Sequence, residues 1–319
     1  RLTTEGISAQ GIHITSNQPV VAYAHIYSGN VSGATLLFPT NTLGREYYSI
    51  NFEQHSNEPN SNCFFYAIAT DTGITSIEVT PSANTQTMNA GQTYTYNLKQ
   101  GEVFNALGDL IGNNGVDLTG SKIKSINTNS TGCKPIAVFS GSGKINIVCP
   151  PGNSTASADN YMVQSFPKNA WGKRYLTVPT DVLPNNFFRI CVTDPSTIVK
   201  LNGVQLNGLI NNFYYQISQT DLPSYIEADK PINVAQYITS ANQCGNGSPG
   251  DPEVIYLSSL EQNLNTVILN STPNFAIRRH FVNVVIPTEG VNSFTIDGNS
   301  YIDNFLPHPE RSEERRVGK

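Results

Sequence analysis

The sequence contains the same unusual string twice. It reads FPTNTLGREYY at residues 38–48 and FPKNAWGKRYL at residues 166–176. The shared pattern is F-P-x-N-x-Φ-G-[K/R]-x-Y, where Φ is a large apolar residue. A string that recurs at this distance restricts the fold to an array of similar units, either stacked in tandem or arranged radially.

Both copies are expected to form a corner between two strands, because proline and glycine interrupt regular pairing. Gly44 and Gly172 are expected to adopt a backbone shape that a Cβ atom would oppose. The alternative is a repeated binding site, in which Arg45 and Lys173 present like charges at equivalent places. The third unit has EVIYLSSLEQNLNTVIL instead of the string, which argues against an essential site.

Two further strings recur along the chain. One is a proline followed by alternating apolar residues, and the other is a pair of large apolar residues that opens a strand ending in Thr-Asp or Thr-Glu. The proline anchors are Pro19, Pro135 and Pro231, and the apolar pairs begin at Phe64, Phe187 and Phe281. Each apolar pair follows its proline anchor, by 45, 52 and 50 residues in turn, which predicts two alternating kinds of four-stranded unit.

The remaining pattern is that of an all-β protein. Short runs such as VVAYAHIY, FFYAIAT and TYTYNL are rich in β-branched and aromatic residues and are bounded by Gly, Pro, Asn and Asp, as half-buried strands and their turns require. We therefore predict tandem, alternating, four-stranded antiparallel units. A β-propeller-like arrangement is preferred slightly over tandem β-sandwiches, and either accommodates the repeat.

The repeats suggest the following division of the chain. Residues 1–10 are a remnant of a preceding unit, residues 11–120 the first repeat, residues 121–221 the second, residues 222–307 an incomplete third, and residues 308–319 a non-native tail. The tail, HPERSEERRVGK, has seven charges in its last ten residues. It resembles a translated sequencing adapter at the end of a metagenomic gene model, so we expect the natural protein to be longer.

Composition excludes several classes of partner. Charged residues make up 13% of the chain, the net charge is −5 and the isoelectric point is about 5.5, so nothing attracts the chain to nucleic acid. No apolar run approaches the roughly 20 residues of a membrane span. A surface that is polar but weakly charged is typical of secreted β-proteins.

The five cysteines form no C-x-x-C pair, so a zinc ribbon or a thioredoxin-type motif is not expected. Cys133 and Cys149 could form a local disulfide. Alternatively, Cys149 and Cys244 could tie two long loops together. Cys63 and Cys191 lie in apolar runs and could be buried free thiols.

No motif for nucleophilic, phosphoryl or metal chemistry is present. Asp159, Asp251 and Glu253 lie in the two longest irregular stretches. A pair of these carboxylates could serve a glycosidase, or together they could supply oxygen ligands to Ca²⁺. Otherwise these stretches are solvated linkers between strands. Apart from Ca²⁺, we expect no cofactor.

The segments ATLLFPTNTLGREYYSI, CKPIAVFSG and NYMVQSFPKNAWGKRYLTVP resemble the family of amino-terminal domains of IgG Fc-binding proteins. The resemblance covers roughly residues 11–300. It implies an extracellular or cell-surface binding module embedded in a longer chain, and its bacterial relatives are surface or secreted proteins, often from Bacteroidota. Fc binding itself is not carried over, and the family supplies no set of binding residues.

The leading hypothesis is a non-catalytic extracellular module that binds a glycoprotein or glycan, or mediates adhesion. Its candidate binding residues are Arg45, Trp171, Lys173, Asp159, Asp251 and Glu253. One alternative is a polysaccharide-active enzyme, which would need a deep pocket with two carboxylates about 5 to 10 Å apart. Another is a structural spacer, against which exposed aromatic residues such as Trp171 or Tyr214 in a groove would argue.

Overall fold

A computed structural model describes residues 2–28, 31–53, 61–111, 114–128, 132–149, 157–183, 185–246, 250–270, 274, 277 and 279–318. The first thirteen strands are β1 Gly6–Ser8, β2 Tyr23–Ser28, β3 Val31–Leu36, β4 Glu46–Tyr48, β5 Cys63–Ala69, β6 Ile74–Thr80, β7 Tyr94–Lys99, β8 Val103–Leu107, β9 Leu110–Ile111, β10 Asn114–Gly115, β11 Lys122–Ile126, β12 Ile136–Ile145 and β13 Asp159–Gln164. The next twelve are β14 Gly172–Thr177, β15 Asn186–Val192, β16 Val199–Leu201, β17 Val204–Gln205, β18 Tyr214–Thr220, β19 Ser224–Ile238, β20 Glu253–Tyr256, β21 Asn283–Pro287, β22 Thr295–Ile296, β23 Asn299–Ser300, β24 Phe305–His308 and β25 Arg311–Gly318.

The prediction of an all-β fold with antiparallel strands is confirmed. Within the described residues, helical structure is limited to short 3₁₀ segments at Thr40–Thr42, Lys168–Ala170, Leu260–Gln262, Thr288–Ser293 and Ile302–Asn304. All strand pairs in the described sheets are antiparallel. Among the described residues, no helix is long and apolar enough to cross a membrane.

The first part of the chain forms a β-sandwich. One sheet has the order β1-β8-β5-β12-β13 and the other β4-β11-β6-β7. In β5, every second residue is buried, because alternate side chains of a strand point to opposite faces. Residues from both sheets share one core, formed by Tyr47, Cys63, Phe65, Ala67, Ala69, Ile77, Val79, Met88, Leu98, Phe104, Ala106, Leu118, Ile123, Ile136 and Val138.

The second part is built around the long strand β19. Its first half pairs with β14 and β16, and its second half pairs with β15 and β20. With β17 and β18 these strands form one curled seven-stranded sheet. Its curvature encloses a second core, formed by Tyr175, Phe188, Ile190, Val192, Val199, Tyr215, Ile226, Ile232 and Val234.

The three proline anchors occupy equivalent places in three hairpins, β2–β3, β12–β13 and β19–β20. In each hairpin, the residue four positions after the anchor proline pairs with the residue two positions before the corner string. In the third hairpin, EVIYLSSLEQNLNTVIL contains the equivalent of that string. The facing residues are Tyr23 and Leu36, Phe139 and Gln164, and Ala235 and Tyr256. The repeat is therefore structural as well as sequential, and its register is kept in all three copies.

The sheets do not follow the expected repeat boundaries. Strands β12 and β13, which were assigned to a repeat at residues 121–221, pair with β5 in the first sheet, and β1 from residues 1–10 pairs with β8. The proline and phenylalanine anchors were expected to belong to separate units, but those at Phe64 and Pro135 lie on or next to the paired strands β5 and β12, and those at Phe187 and Pro231 lie on the paired strands β15 and β19. The first two sheets form a sandwich, and a propeller-like arrangement of the whole stays a prediction.

The last part of the described chain forms a smaller, three-stranded sheet. The hairpin β22–β23 follows β21, and β24 and β21 both pair with β25. Strand β25 lies in the segment assigned to the tail at residues 308–319, so that segment adds a strand to this sheet. Whether its sequence is non-native stays a prediction.

Candidate functional site

The first corner, residues 38–48, is fixed by one buried tyrosine. The Tyr47 hydroxyl accepts a hydrogen bond from the Gly44 N–H at 2.7 Å and donates one to the Ile136 carbonyl at 2.8 Å. Ile136 directly follows the anchor proline Pro135. The tyrosine thus connects the corner to the anchor strand, and burial raises its pKa to about 12, so the hydroxyl stays neutral near pH 7.

The second corner, residues 166–176, repeats this arrangement. The Tyr175 hydroxyl accepts from the Gly172 N–H at 3.1 Å and donates to the Ile232 carbonyl at 2.6 Å. Ile232 also follows an anchor proline, Pro231. The Gly, the Tyr and the K-P-I anchor recur together because they form one hydrogen-bonded joint.

The corner glycines are needed because neighbouring residues leave no room for a side chain, not because their backbone angles require glycine. Neither Gly44 nor Gly172 has a positive φ, which corrects the expectation of a special backbone shape. Instead, a Cβ atom on Gly44 would lie well under 3.0 Å from Pro167 of the second corner. A Cβ atom on Gly172 would meet Ser259 just as closely.

Ser259 is the structural equivalent of Pro167. Each precedes a three-residue 3₁₀ turn as its N-cap, as Pro39 does in the first corner. Residues 258–268 are therefore a third corner, although the sequence pattern is lost there. Each Gly corner receives the N-cap residue of the next corner along the chain.

An ion pair lies beside each joint, but the signs of the charges are reversed: the earlier corner supplies the acidic residue at the first joint and the basic residue at the second. At the first joint, Glu46 Oε1 lies 3.1 Å from Lys168 Nζ and 3.4 Å from Lys122 Nζ. At the second, Arg174 Nε lies 2.8 Å from Glu261 Oε1. Burial opposes ionisation of Glu46, but the two lysines outweigh it and its pKa is lowered.

A cleft of about 700 Å³ opens at the first joint. Both corners and two of the proline anchors contribute to it. It is lined by Leu43, Gly44, Arg45, Glu46, Pro135, Lys168, Asn169, Thr193 and Pro231. Its volume lies in the range of ligand-binding clefts. The Arg45 side chain is exposed there, so it can meet a ligand.

The other candidate residues of the corners are not in this cleft. Trp171 is buried, with its indole N–H donating to the Phe166 carbonyl at 3.3 Å. Lys173 donates to the Asp229 carbonyl at 2.7 Å. Tyr214 is buried as well. Neither aromatic residue is therefore an exposed contact in a groove, because each packs in the core between the units.

The structure brings together the three acidic candidates. Asp159 accepts hydrogen bonds from the N–H groups of Ser32, at 2.9 Å, and Asn160, at 2.6 Å, and its carboxyl group also contacts that of Asp251. Glu253 accepts from the N–H groups of Val254 and Ala34.

Burial is the main cause of raised pKa values in this cluster. The pKa of Asp159 rises to about 6 and that of Glu253 to about 8, and the pKa of Asp251 also rises. The mutual repulsion of the carboxylates adds to the effect at Asp159 and Glu253. Asp159 on β13 and Glu253 on β20 also accept hydrogen bonds from N–H groups of strand β3, and so attach that strand to the two later strands.

A metal role is not evident for these carboxylates. Among the described residues, no group of three or more His, Cys, Asp and Glu side chains is arranged to hold a metal ion. Parts of the two long loops, residues 150–156 and 247–249, lie outside the described residues.

One disulfide connects the two long loops. Cys149 and Cys244 are bonded, whereas Cys63, Cys133 and Cys191 are free thiols. The local pair of Cys133 and Cys149 does not form because the ten-residue strand β12 lies between them, and such a strand spans roughly 30 Å. The Cys133 thiol instead lies 3.1 Å from the Ser125 carbonyl.

A buried arginine connects the curled sheet to the first sandwich, and it was not among the residues predicted from the sequence. Arg189 Nη1 donates to the Asn51 carbonyl at 2.5 Å and lies 2.6 Å from Asp117 Oδ2. Its guanidinium lies 4.3 Å from the ring centres of Phe52 and Tyr214. The available signal was a charged residue inside the apolar run NFFRICV, since a charge in a core strand needs a partner.

These features define an all-β repeat protein whose units are joined through paired corners. The sequence model of the IgGFc binding protein family matches residues 33–317. The chain belongs to this family, a family of binding modules, and the resemblance seen in the sequence is confirmed. Comparisons with curated proteins and with solved structures gave no match.

Proposed function

We propose that this protein is an extracellular, non-catalytic binding module that recognises a protein ligand, including the glycoproteins of a mucous or cell surface. The observation that carries the proposal is the cleft at the first joint. Because the chain belongs to a family of binding modules, this cleft is the first candidate for the contact surface. Adhesion would follow if the module is displayed on a cell surface.

The chemistry of the cleft favours an acidic group on the ligand. Glu46 is neutralised by Lys122 and Lys168, whereas Arg45 is exposed at the rim. A guanidinium can bind a carboxylate through two parallel hydrogen bonds. The apolar walls, Leu43, Pro135 and Pro231, would cover the aliphatic part of the contact.

Arg45 allows a direct test by biolayer interferometry. The immobilised protein is exposed to purified IgG Fc and to a secreted mucin as two separate probes. We expect at least one probe to bind, and Arg45→Glu to weaken its binding tenfold or more, because a like charge would then face the acidic ligand group.

Lys99→Glu is the matched control. It makes the same change of charge at an exposed position at the end of strand β7, outside the cleft, and should alter the affinity less than about twofold. Equal losses in both variants would mean that general electrostatic attraction, not the cleft, holds the ligand. Binding that is unaffected by Arg45→Glu would refute the assignment of the cleft.

A further inference from the structure

The two joints within the chain follow one rule, from which a docking surface can be inferred. At each joint, an N-cap residue enters the space left by a corner glycine of the preceding corner. Pro167 and Ser259 are both buried in this way. The backbone angles of their turns agree closely: φ and ψ are −64° and 151° at Pro167, and −74° and 158° at Ser259.

The first turn has the same shape, but no corner among the described residues receives it. Pro39 has φ −57° and ψ 145°, and residues 39–42 are all exposed. Residues 1–38 contain no Φ-Gly-[Lys/Arg]-x-Tyr string. The described corner glycines, Gly44 and Gly172, are already filled by Pro167 and Ser259. A surface that is buried at two equivalent places is thus open at the third.

The third corner lacks the features of a receiving corner. Leu264 stands at the glycine position and Val267 at the tyrosine position. The Leu264 side chain is 75% exposed, and its Cβ atom stands at the position where the earlier corners have a glycine. Asn263 keeps the backbone of the earlier corners, with φ −61° and ψ 141° compared with −72° and 142° at Trp171.

We propose that the turn at residues 39–42 is a docking surface for one occupant: the Gly corner of another repeat unit of this type, outside this 319-residue sequence. Pro39 enters that corner as Pro167 enters the corner at Gly44. The array is therefore directional, because it accepts a unit at its first turn and refuses one at its third corner. This inference does not depend on the cleft or on its ligand.

The proposal can be tested by giving the protein a receiving corner of its own. The variant Leu264→Gly/Val267→Tyr opens the third corner and restores the hydroxyl that holds it. We expect sedimentation velocity to show association that grows with concentration up to about 100 μM and extends beyond dimers, because a head-to-tail contact does not close. The wild-type protein should remain a monomer.

Two controls keep the result specific. Adding Pro39→Glu to the double variant should abolish association, because the entering residue is then charged. Leu264→Ala keeps a Cβ atom and should behave as the wild type does. A monomeric double variant with an unchanged circular dichroism spectrum would overturn the proposal, as would association that persists with Pro39→Glu. If the double variant fails to fold, Leu264→Gly alone is held to the same outcomes.

Discussion

Gly44 shows at the scale of one residue that a glycine can be fixed by packing alone. Its φ is ordinary, so any residue could adopt its backbone conformation. The missing side chain leaves room for Pro167, and the neighbouring Tyr47 hydroxyl accepts its N–H. The space for the N-cap residue and the hydrogen bond are the same in both corners, and together they explain why glycine and tyrosine occur three positions apart in each.

The substitution Gly44→Ala should destabilise the protein by about 1–3 kcal/mol, because the new methyl group overlaps Pro167 in a packed joint. Urea denaturation followed by tryptophan fluorescence measures the change. Gly132→Ala is the matched control, since a Cβ atom there meets nothing within 4 Å and the backbone is not left-handed. Equal stability of the two variants would show that Pro167 does not need the space at Gly44.

At the scale of the element, strand β3 pairs with β2, and side chains of β13 and β20 accept hydrogen bonds from N–H groups of β3. The Ser32 N–H binds the Asp159 carboxylate, and the Ala34 N–H binds Glu253. The Thr35 hydroxyl accepts the Gln164 N–H at 2.9 Å, and the Gln164 side chain accepts the Phe38 N–H at 2.8 Å. The β2–β3 hairpin is therefore attached to the next units by polar side chains.

The attachment of this hairpin should depend on pH. The folded-state pKa values of Asp159 and Glu253, about 6 and about 8, lie above those of exposed carboxyl groups, so the folded state binds protons more tightly than the unfolded state does. Their contribution to stability is complete at about pH 4 and is lost as the pH rises through 6 and 8. We expect the thermal midpoint to fall between pH 5 and pH 8.5.

Amide variants separate this effect from other titrations. In Asp159→Asn/Glu253→Gln the two groups cannot ionise, so the decline in thermal midpoint over the same range should flatten. Asp71→Asn is the control, because its carboxylate is exposed and accepts a hydrogen bond from Thr72 in its own turn. A decline as steep in the double amide variant as in the wild type would assign the pH dependence to other groups.

The Cys149–Cys244 bond closes a loop of 95 residues between the two long stretches. Cross-linking over such a distance restricts the unfolded chain, so replacing both residues by serine should lower the free energy of unfolding by about 2–4 kcal/mol. Cys133→Ser removes a free thiol and should leave the disulfide effect intact. The wild type in reducing buffer should match the double serine variant; if it retains full stability, the bond adds nothing.

The sequence predicts the strands well because their signal is local. Alternation in CFFYAIA and the proline anchors indicate β5 and the hairpins, and each needs only neighbouring residues. Sheet partners are not local, so no period indicates that β5 pairs with β12. Trp171 illustrates the same limit, since its burial depends on Tyr48 of the preceding corner.

At the scale of the whole molecule, the units form a directional array. The corners place Pro167 and Ser259 in equivalent spaces, yet Glu46 pairs with a lysine at the first joint whereas Arg174 pairs with a glutamate at the second. Exchanging the two joints would bring like charges together, which is unfavourable. The two joints are therefore alike in packing but differ in the signs of their charges. This difference favours one order of the units along the array.

Arg189 is a buried charge at the contact between the first sandwich and the curled sheet. Burial opposes its charge, but Asp117 and the neighbouring groups raise its pKa well above the ordinary value, so it stays ionised. Arg189→Met would leave the Asp117 carboxylate and the Asn51 carbonyl without this donor. We expect a loss of about 3–5 kcal/mol in the free energy of unfolding, measured by urea denaturation.

Lys200→Met provides the comparison for Arg189→Met, because the ion pair of Lys200 with Glu227 is largely exposed and should contribute less than about 1 kcal/mol. If the units are coupled through Arg189, its variant should also broaden the unfolding transition or divide it in two, since the first sandwich and the curled sheet would lose their shared charge. A single sharp transition at wild-type stability would show that apolar packing around Phe52 and Tyr237 is sufficient to hold the units together.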